Sequence, residues 1–155
     1  LTRLEAVFAE LQQKVAPASE ELLEEAVELS RPKMPKLPEV QDEDDRNIGR
    51  FGRRADRDGY HLSASFIGGE NDRFVRVKLS VARTDGVQMT HNVHFFLHRT
   101  FAQEKVIIPP TNGVSSLELL IYGGFTVGVW IEDTETLLEL DLSKARGAPY
   151  VVRTQ

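Results

Sequence analysis

The chain has 155 residues, 41% of them hydrophobic and 28% charged, with a formal net charge of −5 and no cysteine. That length holds one domain with its own core plus an appendage, and leaves no room for a second large domain. The missing cysteine excludes thiolate catalysis, disulfides and cysteine-based zinc sites.

No long uninterrupted apolar run and no basic-then-apolar leader is present, so neither a membrane span nor a signal peptide is expected, and the cytoplasm is the expected compartment. The chain starts at Leu1, which suggests a domain taken from a longer polypeptide. Charge is unevenly placed: residues 1–45 carry 12 acidic and 5 basic side chains, and residues 46–155 carry 12 and 14. The acidic first part argues against a nucleic-acid module, which would offer a basic face.

In "LTRLEAVFAELQQKV" Leu1, Leu4, Phe8, Leu11 and Val15 recur three and four apart, the stripe of an amphipathic helix. Pro17 interrupts it, and "SEELLEEAVEL" restarts a helix with Ser19 as N-cap and Glu20 and Glu21 near the positive end of its dipole. Residues 1–30 are therefore a helical arm of two short helices, which either packs on its own domain or provides self-association. Residues 31–45 follow as an acidic, proline-rich linker. Pro32, Pro35 and Pro38 favour an extended chain, usable as a spacer or as a ligand for a proline-recognition domain.

Beyond Gly59 the period becomes two. Tyr60, Leu62, Ala64 and Phe66 share one face; Val75, Val77, Leu79 and Val81 share another, with Arg76, Lys78 and Ser80 opposite. Further strands are predicted at "NVHFFLH", "EKVII", "SLELLI", "FTVGVWI" and "TLLELDL", separated by "TDG", "PPTNG" and "EDTET". Seven to eight strands with no helix between them predict an all-β fold over 46–155, an immunoglobulin-like antiparallel β-sandwich carrying the N-terminal helical arm.

Three of the four histidines fall in "HNVHFFLHRTF". On a strand over 92–98, His94 and His98 share a face but stand about 13 Å apart, too far for one zinc ion. No metal and no cofactor is expected. There is no G-x-S-x-G elbow, and neither a dinucleotide-binding nor a P-loop glycine pattern occurs. Glu139 and Asp141 in "ELDL" share a strand face at a spacing of about 6 to 7 Å, which would suit a retaining glycosidase but is commoner on a solvated strand. No catalytic residue is assigned, and the chain is expected to be non-enzymatic.

"FFLHRTF", then "YGGFTVG", "LELDL" and "APYVVR", resemble the prokaryotic branch of the YEATS family, as do the earlier "GRFGRRADRDGYHLSASF" and "VRVKLSVARTDG". The resemblance covers about 46–153 and implies an immunoglobulin-like sandwich. Eukaryotic members read acylated lysine in an aromatic slot formed by loops at one end. Their His-x-Ser/Thr-Phe pattern is met by His98, Thr100 and Phe101, and their Tyr-Ala/Gly-Gly-Phe pattern by Tyr122, Gly123, Gly124 and Phe125.

By this resemblance Phe101 and Tyr122 would flank the acyl amide, and Thr100 with the Tyr122 N–H would hold its carbonyl. His98 would orient the hydroxyl, while Gly123 and Gly124 would let the ligand near the backbone. The same residues could instead be core aromatics, a structural histidine and a tight turn. Two departures stand out: Arg99 occupies the position of a proline common in prokaryotic relatives, and "GGEND" lacks the early-loop aromatic of eukaryotic readers. The resemblance implies a sensor or adaptor module of a larger, defence-related protein. Its partners would be an acylated peptide or protein and an effector domain in the same or a neighbouring chain, with self-association through residues 1–30; no nucleic acid and no membrane are expected.

Overall fold

The computed structural model describes residues 33–69 and 74–154. The helical arm expected at residues 1–30 lies outside them. Eight strands form: β1 Asp56–Arg57, β2 Tyr60–Gly69, β3 Val75–Arg83, β4 Val93–Phe96, β5 Lys105–Ile108, β6 Ser115–Ile121, β7 Thr126–Ile131 and β8 Leu137–Asp141. They make two antiparallel four-stranded sheets, in the orders β1-β2-β3-β6 and β5-β4-β7-β8. This is an all-β sandwich whose crossings between sheets follow the Greek-key connections of immunoglobulin-type folds.

The twofold period builds the core directly. In β3, Val75, Val77, Leu79 and Val81 are buried while Arg76 and Lys78 are exposed. Val93 and Phe95 of β4 and Val127, Val129 and Ile131 of β7 come from the facing sheet to meet them. Between β5 and β6, Asn112 (φ 53°) and Gly113 (φ 80°) form the two-residue turn under the Thr111–Val114 bridge, the left-handed pair that suits a tight hairpin.

β7 is buried on both faces, which alternation alone does not explain. The cover comes from residues 45–54, a strap across the outer face of the β4–β7–β8 sheet. Phe51 is fully buried against Phe96, with ring centroids 5.0 Å apart. A Cβ at Gly128 would lie 2.3 Å from the Phe51 ring, so glycine there makes room for it. The Asn47 amide donates to the carbonyls of Phe96 (2.9 Å) and Thr126 (3.2 Å). The residues read as a linker run from Lys33 to Val40 without helix or strand, and at their end both carboxylate oxygens of Asp45 are held by Thr126, through its N–H (3.0 Å) and its hydroxyl (2.7 Å).

Two local expectations change. The strand predicted over Asn92–His98 is shorter, because after Leu97 the chain turns, with the Phe101 N–H donating to the His98 carbonyl at 3.1 Å. Glu139 does not face solvent: it is buried and accepts the N–H groups of Gly49 (3.0 Å) and Phe51 (2.9 Å), which pin the strap. Asp141 instead caps a 3-10 turn, Leu142–Lys144. The chain then forms a short helix, α1 Tyr150–Thr154.

Candidate functional site

Two loops meet at one end of the sandwich. The first, 97–104, joins β4 to β5 and carries His98, Thr100 and Phe101; the second, 122–125, joins β6 to β7 and carries Tyr122, Gly123, Gly124 and Phe125. Because β4 and β7 pair antiparallel with Phe96 opposite Gly128, the end of one strand lies beside the start of the other. All six residues singled out in the sequence line one concavity of about 180 Å³, joined by Ile121 and Phe125. No lining residue carries a formal charge at neutral imidazole.

The aromatic walls are braced separately. Phe101 packs on Phe125 with centroids 5.4 Å apart, and Phe125 in turn packs on His98 at 5.9 Å. Tyr122, 55% exposed, meets Phe74 edge-on at 6.5 Å. Phe74 stands immediately before β3, so an aromatic ring is present beside this wall although "GGEND" contains none.

Hydrogen bonds fix the polarity of the histidine–threonine pair. His98 Nε2 faces the carbonyl oxygen of Asp44 at 2.7 Å, and a carbonyl only accepts, so Nε2 carries the proton. His98 Nδ1 takes the backbone N–H of Thr100 at 3.3 Å and is therefore an acceptor. The Thr100 hydroxyl, 2.9 Å from that same nitrogen, must donate to it. Its proton is committed and its lone pairs remain, so the hydroxyl can accept from a ligand N–H. This differs from the donor role to a carbonyl that the resemblance implies for Thr100.

Gly124 has a structural reason for lacking a side chain. A Cβ there would come 2.4 Å from the Val152 carbonyl of α1 and 2.9 Å from Ser143 Cβ. The second loop is thus seated on the C-terminal helix, whose Val152 is fully buried. Neither this seat nor the Asp44 carbonyl had a signal in the sequence. Phe125 did have one, as the last residue of the Tyr-Gly-Gly-Phe pattern.

Residues 75–143 match the family model of the prokaryotic YEATS domain. Over that span the chain is similar to a prokaryotic YEATS domain. The matched span runs from β3 into the 3-10 turn and contains both slot loops; β1, β2, the strap and α1 lie outside it. No curated protein and no solved structure matches the chain.

The remaining histidine of β4 is placed elsewhere. His94 is buried on the outer face of its sheet, with Nε2 2.7 Å from Glu132 and its ring 4.6 Å from that of Trp130. Among the described residues no group of three or more histidine, aspartate or glutamate side chains gathers as a metal site would require. Arg99 points along the neighbouring groove, its guanidinium 3.8 Å from Asp44.

Proposed function

We propose that this YEATS-like domain is a non-enzymatic reader that takes the flat, uncharged amide of an acylated lysine between Phe101 and Tyr122. The observation that carries the reading is the combination of an apolar, uncharged concavity with a hydroxyl whose proton is already committed. A protonated lysine would lose its hydration there without meeting a carboxylate, whereas an amide enters without an unpaired charge. The ligand N–H donates to Thr100, the Tyr122 N–H donates to the ligand carbonyl, and the rings supply the non-directional contact. The module serves a larger, defence-related polypeptide, in which binding directs an attached effector.

Calorimetry with acetyl-lysine and crotonyl-lysine peptides tests this. Both should bind with modest affinity, since few ligand atoms are contacted, and the unmodified peptide should not bind. Phe101→Ala or Tyr122→Ala should weaken binding by about 1 to 3 kcal/mol, and Thr100→Val by about 0.5 to 1.5 kcal/mol. Melting curves must stay close to wild type for these losses to count. A folded wild-type protein with no acyl preference would leave only an interaction domain that does not use the slot.

A further inference from the structure

Beside the slot lies a second concavity, of about 290 Å³, that the reader proposal does not use. Its lining includes four cations, Arg46, Arg50, Arg99 and Lys105, and two carboxylates, Asp45 and Glu104. Both oxygens of Asp45 are already engaged by Thr126. The cations are weakly matched. Arg46 reaches Glu43, and Arg99 reaches Asp44, only at 3.8 Å, with every side chain about half exposed or more. Such loose, hydrated pairs contribute little. Lys105 lies 5.6 Å above the Phe96 ring, and Arg50 Nε donates to the Pro38 carbonyl, so neither meets a carboxylate closely. Arg83, by comparison, closes on Asp85 with two bonds of 3.0 and 2.7 Å.

The hollow is thus lined by four cations against two carboxylates, with the further carboxylates Glu43 and Asp44 approaching Arg46 and Arg99 only at 3.8 Å. Like charges held together repel, and a bound anion relieves that repulsion. Guanidinium forks match the geometry of phosphate and carboxylate oxygens. His98 lines both concavities, so the groove adjoins the slot and is within reach of residues that flank an acylated side chain seated there. We infer that the partner is an acidic or phosphorylated peptide segment, and that this groove receives an anionic group lying within a few residues of the acylated lysine. The inference rests on the reader proposal for its acyl component; the anion site stands by itself.

The experiment compares three acetyl-lysine peptides of equal length, flanked by aspartate and glutamate, by serine and glycine, or by lysine and arginine, using fluorescence anisotropy. The acidic peptide should bind about tenfold more tightly than the neutral one, and the basic one more weakly still. The order should flatten in about 1 M salt, where the Debye length is near 3 Å. Arg99→Gln together with Lys105→Gln should bring the acidic and neutral peptides to equal affinity, and replacing the acidic flank by a single phosphoserine should retain the gain. Equal binding of all three peptides by wild type would overturn the inference and leave the reader proposal intact. So would a single-stranded oligonucleotide that outcompetes the acidic peptide. If no acetyl-lysine peptide binds, titration of the labelled protein with inorganic phosphate separates the two claims. Shifts of the Arg46, Arg99 and Lys105 resonances at millimolar phosphate support the anion site while the slot reading falls, and their absence overturns it.

Discussion

At the scale of single residues, the slot depends on which ring nitrogen of His98 holds a proton, and that choice is made 54 positions away by the Asp44 carbonyl. Long-range proton–nitrogen spectra of the imidazole should show the Nε2–H tautomer; a proton on Nδ1 would remove the acceptor role given to Thr100. The sequence disclosed the histidine and the threonine two residues later but could not disclose the tautomer, because Asp44 sits in a stretch that reads as linker. Glu139 makes the same point from the opposite side. Its place on a strand beside Asp141 suggested solvent, yet the two backbone N–H groups it accepts come from 88 and 90 residues earlier. A carboxylate that looks ordinary in its own strand becomes a structural anchor once a distant segment covers it.

At the scale of elements, period-two stretches declared themselves and aperiodic ones did not. The alternation in Val75–Val81 is local, so that strand was legible; the strap over 45–54 has no period, and its positions are set by the contacts that Phe51, Asn47 and Asp45 make with the sheet. Helix α1, with five residues, is too short to announce itself by spacing. The strap nevertheless behaves as part of the core. Phe51→Ala should destabilise the domain by about 3 to 5 kcal/mol through the hollow left above Gly128. Glu139→Ala should remove about 2 to 4 kcal/mol, since it leaves the buried Phe51 N–H and the half-buried Gly49 N–H without their acceptor. Urea unfolding of each variant checks both values, and a loss under 1 kcal/mol in either would mean that the strap is loosely held.

At the scale of the whole molecule, the sandwich was readable because two sheets of alternating strands leave few other ways to bury so many apolar faces. The slot was readable only through motif resemblance, since its residues come from loops without periodicity. What neither route disclosed is that both slot loops are shaped by chain lying outside the family's span. Asp44 holds His98 from the front, and α1 holds Gly124 from behind, where the Val152 carbonyl fills the space a side chain would need. That seating of Gly124 has a practical consequence for anyone trimming the gene. A fragment cut to 75–143 keeps every ring and hydroxyl that would touch a ligand, yet discards their splints as well as β2, the strand paired along the length of β3. Such a fragment should give a circular dichroism spectrum without cooperative melting, whereas 34–155 should melt in one transition, so the shortest useful assay reagent is set by scaffolding and not by homology.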